Sequence, residues 1–134
     1  MPGDNAATVA AGTAVSFPQN GPTSGSGITR ISANTFNLSA LGTYEVMFQV
    51  SVTEPGQLVL ALDSGAGALE LSYTVVGRAT GTSQIVGMSL VTTTAANSTL
   101  SVHNPTGNSP ALTITPIAGG THPVSAHLVI KRLN

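Results

Sequence analysis

From Thr43 to Thr53 the sequence reads "TYEVMFQVSVT", with large apolar side chains at every second position: Tyr44, Val46, Phe48, Val50 and Val52. A period of two sustained over this length fits an extended strand and no helix, because successive side chains of a strand point to opposite faces. One face is apolar throughout. The other carries Glu45, Met47, Gln49 and Ser51, and with a methionine at its centre it matches neither a sandwich core nor an ordinary solvent face. A chain built around this strand must shelter one side of a sheet inside its own fold and find something else to lie against the other.

The remaining sequence points to the same class. Helix formers such as Glu, Lys and Arg are scarce, Thr, Val and Gly are frequent, and turn residues recur at short intervals, a pattern that favours strands. Period-two runs predict strands at Thr13–Phe17, Ile28–Ile31, Thr35–Leu38, Thr43–Thr53, Gln57–Asp63, Ala68–Arg78, Ser83–Thr93, Thr99–His103, Leu112–Thr115 and Ser125–Leu133. That many short strands form two packed antiparallel sheets, a β-sandwich or jelly roll, more readily than one open sheet. "EPGQ" at 54–57 predicts a turn with Pro55 at fixed φ and Gly56 at positive φ, and "DSGAGA" at 63–68 predicts a longer hairpin loop. "NPTGNSP" at 104–110 and "PIAGGTHP" at 116–123 read as irregular loops. With 134 residues, no internal repeat and no change of composition along the chain, a single domain over 13–134 is expected, preceded by a lead-in arm over 1–12.

Charge narrows the partners. Only 7% of the residues are charged and the net charge is −1, so no basic patch is available to neutralise nucleic-acid phosphates, and little self-repulsion opposes association of copies. There is no cysteine, which removes disulfides and thiolate metal sites and leaves the redox compartment open. No apolar run approaches the roughly 20 residues of a membrane helix, so no membrane partner is expected.

Signals for chemistry are weak. His103, His122 and His127 are the candidates for neutral-pH catalysis or metal ligation, and they lack the paired spacings of metal motifs. The carboxylates Asp4, Glu45, Glu54, Asp63 and Glu70 fall singly on separate elements. Asp63 and Glu70 flank one predicted hairpin loop, where folding could bring them together as a glycosidase pair would require. No Gly-x-Ser-x-Gly elbow and no P-loop lysine is present. The sequence therefore predicts no enzyme activity, no catalytic residue, no metal ligand and no cofactor.

"ISANTFNLSALGTYEVMFQVSV" at 31–52 sets a short strand with Phe36 before a Gly42-x-Tyr44 corner that opens the long alternating strand. This order resembles the tumour-necrosis-factor and complement-C1q-like head domains. It is more similar still to the C-terminal domains of BclA-type collagen-like exosporium glycoproteins of spore-forming bacteria, which continue into Val- and Thr-rich strands and end on a hydrophobic strand carrying a Lys. "QIVGMSLVTTT" at 84–94 and "SAHLVIKRLN" at 125–134 are the matching runs here. The chain departs from the eukaryotic heads in having no Trp and few charges, so their receptor- and calcium-binding residues are not carried over.

The resemblance implies a homotrimeric jelly-roll head. It also implies that the last strand neighbours the strand at 43–53 in the sheet facing the threefold axis, bringing Glu45 near Lys131 as a cross-strand or intersubunit pair. On that reading the second faces of the two strands, Glu45, Met47 and Gln49 with His127, Val129 and Lys131, form the subunit interface. Pro2 and Gly3 would then end a collagen-like stalk, and the head would nucleate and cap a filament on a spore or bacterial cell surface, outside the cell, with adhesion as a further role. Two alternatives stand beside it: a lectin-like head whose loops at 63–68, 104–110 and 116–123 bind a glycan or host receptor, and the tip of a phage or virus fibre.

Overall fold

A computed structural model describes residues 8–79, 83–122 and 126–134. In chain order the strands are β1 (Thr8–Val9), β2 (Ile28–Arg30), β3 (Phe36–Leu38), β4 (Thr43–Val52), β5 (Gly56–Asp63), β6 (Ala68–Glu70), β7 (Val76–Arg78), β8 (Ser83–Thr92), β9 (Ser98–His103), β10 (Leu112–Thr113) and β11 (His127–Arg132), with one 3₁₀ turn at Ser72–Thr74. The described residues contain no α-helix. Their strands pair antiparallel throughout.

Two sheets enclose the core. One has the order β11-β4-β8; the other runs β2-β3-β9-β5, with β6 and β7 lying one after the other along the far side of β5. A two-stranded ribbon, β1-β10, is tied to them through bridges Val52 to Ile114 and Ala14 to His103. Consecutive strands change sheets repeatedly: β3 and β5 belong to the second sheet and the intervening β4 to the first, while β8 belongs to the first and β9 to the second.

The alternation of β4 is realised as read. Tyr44, Val46, Phe48, Val50 and Val52 are all buried, and they meet Leu58, Leu60 and Leu62 of β5, Leu100 and Val102 of β9 and Leu38 of β3 in one apolar cluster. Large side chains of this kind contribute about 1.5 to 3 kcal/mol each on burial. Tyr44 keeps its hydroxyl satisfied by donating to the Ala40 carbonyl at 2.6 Å, which fixes the corner at the start of the strand. On β8 the inward positions hold Ile85 and Val91, with Gly87 opposite Phe48.

Several elements differ from their sequence expectation. The run Ala68–Arg78 is not one strand but β6, a 3₁₀ turn and β7. Between them the middle of β5 has no strand partner on that side; instead Leu71 donates to the Leu60 carbonyl at 2.8 Å, and Leu60 N–H donates to the Thr74 hydroxyl at 2.9 Å. The Thr74 side chain thus substitutes for a ladder carbonyl. Gly56 does not take a positive φ. It opens β5, and a Cβ there would run into Leu112 Cδ2, so close approach and not turn conformation is what the glycine serves.

Residues 13–17 form no strand of their own, although Val15 N–H reaches the Val102 carbonyl at 2.7 Å. Within the segment read as a lead-in arm, Thr8–Val9 pairs with β10 and Val9 is buried in the core, so the packed domain begins ahead of Thr13. The final strand starts at His127, and Ser125 lies outside the described residues.

Candidate subunit interface

β4 lies at the centre of the first sheet, and its register fixes what shares its outer face. Glu45 is opposite Lys131 on β11 and Leu90 on β8; Met47 is opposite Val129 and Met88; Gln49 is opposite His127 and Val86. All six residues expected at an interface, Glu45, Met47, Gln49, His127, Val129 and Lys131, are therefore brought together on one surface as three cross-strand pairs. Glu45 and Lys131 are aligned as the resemblance implied, but no ion pair joins them among the described residues.

Val86, Met88 and Leu90 were missed. Their strand is apolar on both faces, and Gly87 and Ser89 at inward positions disguise which set is the core set. Met88 is 66% exposed, Val129 50%, Leu90 51% and Val86 52%, so with half-buried Met47 they make an apolar band across three strands. Tyr73, whose hydroxyl donates to the Leu90 carbonyl at 2.9 Å, extends it past β8. Isolated exposed apolar residues are ordinary on a protein surface; a contiguous row in the middle of a sheet is the kind of patch that marks a contact. The band is low in charge and rich in Met and Val, with polar Gln49, His127, Glu45 and Lys131 alongside, which suits an interface core with a polar rim.

The groups that could carry chemistry are placed elsewhere. Asp63 and Glu70 share one face of the β5–β6 pair as diagonal neighbours, and each is engaged by partners of its own: an Asp63 carboxylate oxygen accepts from Gly65 and Gly67 N–H at 2.8 and 3.1 Å, closing the β5–β6 loop, while Glu70 accepts from the Thr106 N–H and hydroxyl at 2.9 and 2.8 Å. His103 Nε2 sits 2.9 Å from the Ser101 hydroxyl on the outer face of the second sheet. Burial lowers the His103 pKa, and the nearby Glu70 charge opposes that shift only in part. Ser101 is itself buried and offers no open nucleophile, while Glu70 fastens loop 104–110 to the sheet through Thr106.

Glu54 grips the second ribbon strand, accepting from Thr113 N–H at 2.7 Å and from its hydroxyl at 2.6 Å. Desolvation pushes the Glu54 pKa up, but the hydrogen bonds from Thr113 and its neighbours outweigh it and the net shift is downward. Among the described residues no three His, Asp or Glu side chains gather as a metal site, and no helix is long and apolar enough to cross a membrane.

Fold and surface together define an all-β antiparallel protein with a sandwich-like pair of sheets and an apolar outer band on the smaller one. No family model matches the chain, and no curated protein matches it.

Proposed function

We propose that this chain is the trimeric head of a collagen-like surface filament, a jelly-roll domain of the tumour-necrosis-factor and C1q-like kind that brings three stalks into register and caps them. The observation that carries the proposal is the row Val129–Met47–Met88 across β11, β4 and β8. In a lone chain that row faces water; around a threefold axis it becomes a second core, with Glu45 and Lys131 of neighbouring copies at its rim. The changes of sheet between β3, β4 and β5, and again between β8 and β9, support the jelly-roll path. The order β11-β4-β8 supports placing the last strand beside β4 on the axis side.

Joining three chains at one end raises the effective concentration of the segments attached to them, which is the step a collagen triple helix needs in order to nucleate. Display on the exosporium of a spore, or on a bacterial cell surface, follows from the same resemblance. Light scattering at micromolar protein is the test. A mass of three chains that falls to one on Met47→Lys supports the proposal; a folded single chain at that concentration, unaffected by the substitution, overturns it.

A further inference from the structure

Among the described residues β11 is an edge strand, paired with β4 alone. Leu133 N–H donates to the Thr43 carbonyl at 2.8 Å, which sets the parity of the ladder. In an antiparallel pair every second residue turns its N–H and C=O to the partner and the others turn them away. Thus 127, 129, 131 and 133 bond towards β4, while Leu128, Ile130 and Arg132 present main-chain donors and acceptors to the open side. An unpaired edge of this kind is a template for another strand.

That open side is not flat solvent. It forms a groove of about 1050 Å³ whose far wall is the segment from Asn20 to Arg30, large enough by volume for a ligand site. Phe17, Phe36 and Ile28 give it an apolar floor next to Leu128 and Ile130. Of the four Lys and Arg residues in the sequence, three border the groove, Arg30, Arg132 and Lys131, the last on the outer-face side with its register partner Glu45, whereas none of the described carboxylates lines it. Arg30 donates to the Asn20 side-chain oxygen at 2.8 Å and Arg132 to the Leu41 carbonyl at 2.9 Å. Both acceptors are neutral, so they hold the guanidinium groups in place without cancelling their charge.

We propose that this groove binds an extended acidic peptide, which adds as a strand to the free edge of β11. Main-chain bonds to Leu128, Ile130 and Arg132 supply the pairing, apolar side chains of the peptide rest on Phe17, Phe36 and Ile28, and its carboxylates meet Arg30 and Arg132. A chain with this few charges gains specificity from concentrating its cations at one strand edge. The proposal is independent of the trimer, which uses the outer face of the sheet and not its edge.

The test uses a fluorescein-labelled octapeptide alternating valine and glutamate, its valine–lysine counterpart, and a valine–glutamate peptide N-methylated at alternate residues. Fluorescence anisotropy is expected to show saturable binding of the first alone, weakened about tenfold by raising salt from 50 to 500 mM. Arg30→Glu and Arg132→Glu are each expected to weaken it by a similar factor, with light scattering confirming that chain mass is unchanged. In ¹⁵N spectra the amides of Leu128, Ile130 and Arg132 should shift and become protected from exchange.

Equal binding of the N-methylated or lysine peptide overturns strand addition. So does protection of those three amides in the chain without peptide, which would mean that the edge is already occupied by the chain's own residues or by a second copy. Binding of dextran sulfate with no binding of the acidic peptide would assign the groove to a polyanion and also overturn the proposal.

Discussion

Met47 and Met88 face each other across the β4–β8 ladder as register partners on the outer surface of the smaller sheet, one half-buried by its neighbours and the other two-thirds exposed. Nothing in the single chain rewards an exposed methionine at that place. A thioether on an unbranched stem adapts to irregular apolar surroundings, which makes it a suitable residue for packing against another copy.

Met88→Lys is therefore expected to break the proposed trimer more severely than any other single change on β8. Three uncompensated charges would be desolvated near the axis, at a cost on the order of several kcal/mol. Leu69→Lys is the control: Leu69 is 68% exposed on β6 of the other sheet, and charging it should leave the mass unaltered. Sedimentation equilibrium of the two variants checks both expectations, and a trimeric Met88→Lys protein would place the contact elsewhere.

Gly87 is small because Phe48 needs the space. A Cβ at 87 would meet the Phe48 ring and Val76, and Phe48 is 1% exposed, so the ring has no open side to move towards. Gly87→Ala should destabilise the fold by about 1 to 3 kcal/mol, lowering the thermal midpoint by roughly 5 to 10 °C. Adding Phe48→Leu should recover part of that loss, so that the two changes are less than additive in a double-mutant cycle. Strict additivity would mean that the two positions do not share the space.

Thr74→Val keeps the shape of the side chain and removes its hydroxyl. That hydroxyl accepts from Leu60 N–H and donates to the Leu71 carbonyl at 2.7 Å in a buried position, so its loss leaves a buried β5 amide without an acceptor, costing about 1 to 3 kcal/mol. Denaturant unfolding should register the loss. Hydrogen exchange at Leu60 should accelerate ahead of its neighbours Leu58 and Leu62.

The same residue shows where the sequence stops being legible. Strand β4 and the two-faced character of β11 could be read directly, because a period of two is a backbone property that needs no partner to be seen. The break at Ser72–Thr74 could not: "ALELSYTVVGR" alternates well enough for one strand, and only the length of β5 and the reach of the Thr74 hydroxyl make room for a helical turn. Gly56 misled for a related reason, since it is set by a side chain distant in sequence, Leu112, as Gly87 is by Phe48. The surface of β8 stayed hidden because Gly87 left its inner face no more apolar than its outer one. Ribbon strand β1 is too short to show a period, and its place depends on β10, more than a hundred positions later.

Acid should weaken the fold in two steps of the same sign. His103 has its pKa held below the ordinary value of 6.5, chiefly by burial and with Glu70 opposing. The unfolded chain thus binds a proton that the folded one resists, and stability fully present above that value falls as pH drops through the lowered one. Glu54 behaves alike in a lower window. Desolvation acts against the direction of its shift, but the Thr113 bonds prevail and hold it below 4.5, so its contribution is present above that pH and is lost on further acidification. Urea unfolding between pH 8 and 3 should show a decline below about pH 6.5 that His103→Gln flattens, and a separate decline below about pH 4.5 that Glu54→Gln flattens. A wild-type stability that rises on going from pH 7 to pH 5.5 would contradict the first assignment, and an unaltered lower limb in Glu54→Gln would contradict the second.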